Sequence, residues 1–271
     1  MQYVPKKKPE KNFNITRSNY LKEFFELLFG FFFIFIGVYL ALVIVFEIGI
    51  RANEKKATSY LSKISQLVIK SQGMKVEENK EETKKLQKIL DQLLDSSGLN
   101  DLALKVHLVE KEAENAFALA GGDIIVYRGL LKNCESENEL SMILSHEIAH
   151  HEFKHYLRVA SRTFPLALMS MVSSSDTYQS LIKPFISITT GSFSRKQEFD
   201  SDKRALEILK NYYGHVGGSM DFFKRIKEKE YSIEKFSLSR THPVSQNRID
   251  RIKELIRENK YRIKSLKPLA L

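Results

Sequence analysis

Residues 27–46 read LLFGFFFIFIGVYLALVIVF, twenty positions without a charge, and no other feature limits the fold of this chain as much. At about 1.5 Å per residue a helix of that length spans about 30 Å, the hydrocarbon thickness of a bilayer. A helix in the core of a soluble protein keeps a polar face, and this run has none. A cleaved signal has a shorter apolar core and small residues at its end. Here 26 residues precede the run, and Glu47-Ile-Gly-Ile-Arg51 follows it. The expectation is an uncleaved single-pass anchor over residues 27–50, contacting the lipid bilayer through 27–46. Residues 1–26 are expected to be a basic, flexible tail, and residues 51–271 one further domain. Glu47 and Arg51 can pair across one helical turn at the membrane exit. Lys6, Lys7, Lys8, Lys11, Arg17 and Lys22 before the run slightly outweigh Arg51, Lys55, Lys56 and Lys63 after it. The positive-inside tendency then leaves the N-terminus in the cytoplasm and the domain on the extracytoplasmic side.

The formal net charge of +10 raises the question of nucleic acid. The lysines are scattered among glutamates, as in residues 80–88 and 224–229, and no aromatic-interleaved basic stripe occurs. That is the pattern of solvated helix faces, and no nucleic-acid partner is expected. Cys134 is the sole cysteine, so an intrachain disulfide is excluded and any metal must rest on His, Asp and Glu.

After the anchor, Leu86, Ile89, Leu90, Leu93 and Leu94 recur at helical spacing and Gly98 ends the run. Lys105-Val-His-Leu-Val109 has β character, with His107 a strand residue. Residues 115–127 predict a hairpin turning at Gly121, Gly122 and Asp123. Ser136 and Glu139 have the spacing of a capping box that opens a new helix. The domain is expected to be α+β, mostly helical, with a small β-sheet or hairpin.

The helix opened by Ser136 carries His146, Glu147 and His150 in the pattern H-E-x-x-H. Histidines four apart share a helix face, so both imidazoles reach one ion. Glu147 borders the same point and can take a proton from water there. A catalytic zinc needs a third protein ligand. His151 and His155 are candidates by proximity. The extended pattern H-E-x-x-H-x-x-G-x-x-H needs Gly and His where Phe153 and Tyr156 stand, so that arrangement is excluded. The better candidate is Glu198, in Ser194-Arg-Lys-Gln-Glu-Phe-Asp-Ser-Asp202. Asp202, four residues on, could accept a hydrogen bond from a ligand histidine and orient it.

Four ordered blocks over residues 81–252 together resemble the membrane-associated gluzincins of metallopeptidase family 48, which include HtpX, the Oma-type proteases and the CAAX prenyl proteases. The blocks are Asn115-Ala-Phe-Ala with Gly-Gly and Tyr127-Arg-Gly-Leu-Leu after it; Glu137-Asn-Glu-Leu leading into His146-Glu-Ile-Ala-His150 with a trailing Lys154-His155; Ser194-Arg-x-x-Glu198-x-x-x-Asp202; and Thr241-His-Pro243 with Arg248-Ile249. The resemblance implies a zincin-like (gluzincin) domain, one Zn2+ per chain on His146, His150 and Glu198, and Glu147 as catalytic base. It places His242 and Arg248 near the cleft, His242 to stabilise an oxyanion and Arg248 to hold a carboxylate such as Asp202 or to contact substrate. It also suggests that Asn115 binds the substrate backbone, and that a substrate strand adds along Asn115, Ala116, Phe117 and Ala118. Two departures, Ala120 where the family has proline and the unusual Asp200, leave the ligand positions untouched.

The expected function is that of a membrane-anchored zinc metalloendopeptidase acting on protein or peptide substrates, in membrane or envelope protein quality control. The alternative is a membrane-tethered binding or chaperone-like protein with a latent or inactive zinc site. Residues 164–172 and 181–189 are apolar but too short to span a bilayer, and are expected to form either a lid or membrane-facing surface or ordinary core helices. The sequence does not specify an oligomeric state.

Overall fold

The computed structural model describes residues 17–77, 81–171, 193–229, 242 and 245–270. Two compact units emerge, Met1–Val45 and Phe46–Leu271.

In the first unit the described chain is one helix, α1 (Arg17–Ala52), which runs on into the second unit. It starts ahead of Leu27, so residues 17–26 are helical rather than a flexible tail. The local chemistry accounts for the difference. Nothing from Tyr20 to Glu26 breaks a helix, and Lys22 faces Glu26 one turn on at 3.8 Å. Residues 1–16 of the expected tail lie outside the described residues. Along α1, Tyr20–Ala52 is the one candidate membrane span among the described residues, with a mean hydropathy of 2.8 in its most apolar window. Its large side chains are bare: Phe31 is 69% and Phe33 67% exposed. The expected pair forms between Arg51 Nη2 and Glu47 Oε1 at 2.7 Å.

The second unit is mostly helical around a three-stranded sheet. Its elements are α2 (Glu54–Ser71), α3 (Glu81–Ser96), β1 (Lys105–Val109), β2 (Ala116–Ala118), β3 (Asp123–Tyr127) and α4 (Arg128–Asn133). Then come α5 (Glu137–Glu152), α6 (His155–Met171), α7 (Arg195–Tyr213), α8 (Asp221–Lys229) and α9 (Gln246–Glu258). β2 and β3 form the expected antiparallel hairpin, with Phe117 opposite Ile125. β1 pairs with β3 in parallel, Lys105 opposite Asp123 and Val109 opposite Tyr127. That partner is not readable from local patterning. The order β1-β3-β2 leaves β2 on an edge. Gly122 turns the hairpin at φ 98°, a region that costs a residue with a Cβ. A Cβ on Gly121 would fall 2.2 Å from Ser62 Cα, so α2 lies directly on the turn.

The main core joins α3, the sheet, α5 and α7 through Leu90, Leu108, Ile124, Leu144, Ile148 and Leu206, all fully buried. Burying each such side chain contributes about 1.5–3 kcal/mol. The helical positions Leu86, Ile89, Leu90, Leu93 and Leu94 are indeed the inner face of α3. α5 is buried on every side from Glu137 to His150, so its polar residues need protein partners. Glu137 accepts from Tyr213 Oη at 2.9 Å and Lys267 Nζ at 2.8 Å; Ser141 shares a 2.9 Å bond with Tyr213. Residues 164–171 of the first apolar stretch are the C-terminal half of α6, with Pro165 inside the helix. Phe164 packs against Phe46 with the ring centroids 4.9 Å apart and the planes tilted by 54°. The second stretch, 181–189, lies outside the described residues. Cys134 is half-buried.

Candidate active site

Two helices carry the site, and each is started by a cap. At α5 the Ser136 hydroxyl accepts from Glu139 N–H at 3.1 Å. The reciprocal half of the expected box is missing: buried Glu139 takes the Glu135 N–H at 2.9 Å and pairs with Arg225 of α8. The two Glu139 oxygens are thus taken by the Glu135 N–H and by Arg225, both charge-assisted contacts. At α7 the box is complete, Ser194 Oγ accepting from Gln197 N–H at 3.3 Å and Gln197 Oε1 from Ser194 N–H at 2.9 Å. With that start fixed, Glu198 and Asp202 point inward, 2% and 1% exposed.

α5 and α7 pack against each other, and their side chains meet at one point. His146 Nε2 lies 3.0 Å from His150 Nε2. Glu198 Oε2 lies 3.5 Å from His146 Nε2, and Glu198 Oε1 3.5 Å from His150 Nε2. His242 adds a fourth donor, its Nδ1 3.2 Å from His146 Nε2 and 3.1 Å from Glu198 Oε1. All four donor atoms lie within 4.8 Å of one another. Bonds of about 2.0–2.1 Å to a tetrahedral zinc place donors about 3.3 Å apart, so these separations fit that ion. Three imidazole nitrogens turned on a common centre have little use for one another without a cation between them.

The surrounding shell orients the donors. Asp202 Oδ1 is 2.9 Å from His146 Nδ1, which leaves Nε2 to face the cluster. His155 Nδ1 is 3.0 Å from His150 Nδ1 and plays the same part for that ring. Arg248 grips Asp202 through Nε (2.8 Å) and Nη2 (2.7 Å) and reaches Glu198 Oε2 through Nη1 (2.6 Å). Glu147 Oε2 accepts from Ala118 N–H at 3.0 Å and from the Tyr156 hydroxyl at 2.7 Å. Glu147 Oε1 lies 3.3 Å from His242 Nε2.

Charge follows this layout. Burial disfavours the charged form of each group. Against it, the Asp202 and Glu198 carboxylates raise His146 to about 9. His150 is pushed well below the usual histidine range by burial, with the neighbouring His146 adding to the effect. His155 falls to about 4 through burial and the nearby Arg158 charge, so it is neutral at pH 7 and can accept from His150. Asp202 stays below the ordinary carboxylate range because the Arg248 guanidinium overrides burial.

The site thus brings together His146, Glu147, His150, Glu198, Asp202, His242 and Arg248. Asn115, Ala116, Phe117 and Ala118 lie at the edge of the sheet, and all four are buried. Ala118 N–H is engaged by Glu147 rather than offered to a substrate strand. His151 and His155 are not in the donor cluster. Sequence reasoning missed the roles of His155 and Tyr156. Both follow Lys154, which takes a left-handed φ of 57° and breaks α5 from α6. That break returns His155 and Tyr156 to the site, and no helical periodicity signals it.

The chain matches the family model for peptidase family M48 over residues 80–256. It is 28% identical over 178 residues to the mitochondrial metalloendopeptidase OMA1 of Schizosaccharomyces pombe, covering 63% of this chain and 52% of that protein. It is 24% identical over 184 residues to the beta-barrel assembly-enhancing protease of Escherichia coli, covering 59% of this chain and 38% of that one. Bovine mitochondrial OMA1 is 25% identical over 180 residues, covering 60% of this chain and 34% of that one. The chain therefore spans about half or less of the length of these relatives. The matched region contains every residue of the donor cluster and its supporting shell, and the chain belongs to peptidase family M48.

Proposed function

We propose that this chain is a membrane-anchored zinc metalloendopeptidase, a zincin-like gluzincin that hydrolyses peptide bonds in proteins. The convergence of His146, His150 and Glu198 on one point, with Glu147 beside it, carries the reading. Zinc held there supplies Lewis acidity, polarising a carbonyl and acidifying water. Glu147 takes the proton from the attacking water and returns it to the leaving amine nitrogen. Asp202 and His155 hold the ligand rings, and Arg248 holds Asp202 and Glu198. A substrate strand adds at the edge strand β2, using the backbone of Ala116 and the side chain of Asn115. His242 stabilises negative charge on the attacked carbonyl oxygen once that oxygen develops it.

One observation favours a second reading, a tethered protein with a latent site. His242 Nδ1 completes a four-donor set, whereas a catalytic zinc keeps one position open. Hydrolysis therefore requires His242 to withdraw from the cluster. Purified full-length protein is expected to hold one zinc and to cleave an unfolded protein substrate such as casein, and a chelator is expected to stop both. Stoichiometric zinc without cleavage favours the latent reading; no zinc overturns both.

α1 is proposed as the anchor, with the catalytic domain on the extracytoplasmic side and the substrates among membrane or envelope proteins undergoing quality control. The bare phenylalanine surface and the flanking lysines support the anchor; the name of the Escherichia coli relative, a beta-barrel assembly-enhancing protease, supports the substrate class. The protein is expected to stay in the membrane pellet at alkaline pH and to be cut by protease added from the extracytoplasmic face. Release into the alkaline supernatant rejects the anchor, and protection from that face rejects the orientation.

A further inference from the structure

Two donors from outside α5 hold Glu147, and both bind the same oxygen. The Tyr156 hydroxyl comes from the first turn of α6 and the Ala118 N–H from the edge strand. Glu147 Oε1 is left facing the donor cluster, near His242 Nε2. Tyr156 is itself fixed. It is 2% exposed, and its ring packs on His151 at 4.8 Å, Phe193 at 5.1 Å and His150 at 5.7 Å. A ring packed on several sides keeps one rotamer, so its hydroxyl is a stationary donor. Burial and the Glu147 charge raise its pKa well above the ordinary tyrosine range, which keeps the proton on the phenol.

A glutamate side chain has rotatable bonds that a single anchor leaves partly free. Two donors converging on Oε2 set both the position and the plane of the carboxylate. We propose that Tyr156, acting with the Ala118 N–H, is a positioning residue that locks Glu147 Oε2, so that Oε1 alone carries the proton between water and the leaving amine. The assignment rests on the peptidase reading. It also ties the base to the edge strand where substrate adds, since Ala118 lies on that strand.

Tyr156→Phe removes one oxygen and keeps the ring. Misplacing a reacting group by about 1 Å costs on the order of 100-fold, so kcat is expected to fall about 10- to 100-fold. KM, zinc stoichiometry and melting temperature are expected to stay at wild-type values. Tyr156→p-aminophenylalanine keeps a donor on the same ring and is expected to recover most of the lost kcat. In a Glu147→Gln background, Tyr156→Phe is expected to leave the affinity for a fluorescent peptide unchanged, because the hydroxyl does not touch substrate. A kcat within twofold of wild type in Tyr156→Phe overturns the proposal. So does failure of the amino variant to recover activity, or weaker peptide binding in the double variant. If Tyr156→Phe does not fold, the amino variant and the wild type decide the question by the same kcat comparison. A wild-type protein that holds zinc and cleaves nothing would sink the peptidase reading itself, a result distinct from all of these.

Discussion

Glu147→Gln is expected to abolish peptide cleavage while one zinc per chain still binds. Glutamine has the shape of glutamate, and its carbonyl oxygen can accept from both Tyr156 and Ala118 as Oε2 does. The fold and the donor cluster should therefore survive. The amide cannot take a proton from water. Loss of a general base costs about 10²–10⁴-fold. Cleavage of an unfolded protein by the purified full-length chain, with metal analysis of the same sample, gives the comparison. Retained activity above a few per cent would remove Glu147 from the role of base. Loss of zinc together with activity would assign it to metal binding. The variant should also hold uncut substrates, which makes it a trap for identifying them by proteomics.

Arg248→Ala is expected to destabilise the folded protein by about 3–5 kcal/mol, the cost of breaking a buried ion network from one side. Arg248 sits in the first turn of α9, 4% exposed, and pairs with both Asp202 and Glu198. Without it two carboxylates remain buried beside Glu147 with less positive charge to balance them. Asp202 also orients His146, and loss of such supporting groups weakens metal binding by about 10- to 100-fold. Denaturant unfolding and zinc competition titration of the full-length protein check the two effects. Arg248→Lys should recover part of the stability and little of the geometry, since an ammonium cannot make the two-pronged contact with Asp202. A loss below about 1 kcal/mol with unchanged zinc affinity would mean that the network adds nothing beyond a surface pair.

The network carries its own acid sensitivity. Asp202 is held below its ordinary pKa of about 3.9. The stability this contributes is present above the unfolded value and is lost as pH falls through the folded one.

Much of the site was legible because it is local. H-E-x-x-H fixes two imidazoles and a carboxylate on one helix whatever that helix packs against. Ser194 with Gln197 marks a helix start, and the spacing from there to Glu198 and Asp202 determines which face they share. The hairpin was legible for the same reason, from paired glycines between an apolar run and a β-branched one. The apolar run predicted a helix, and the helix extends beyond it on the N-terminal side to Arg17. Lys22 and Glu26 are compatible with one another on a helix and extend it.

What the sequence determined by itself is therefore local: the H-E-x-x-H pattern of His146, Glu147 and His150 on one helix, the spacing of Glu198 and Asp202 on another, and a long apolar helix ahead of them. Only the tertiary structure decided how those parts are held. It paired β1 with β3, brought His242 into the donor cluster from 44 positions beyond Glu198, and turned α6 so that His155 and Tyr156 support His150 and Glu147. It also gave the Ala118 N–H to Glu147 instead of leaving it open. The physical reason is range. Caps, turns and helix faces depend on residues a few positions apart, whereas buried hydrogen bonds between elements form only where packing excludes water and leaves each polar group one available partner.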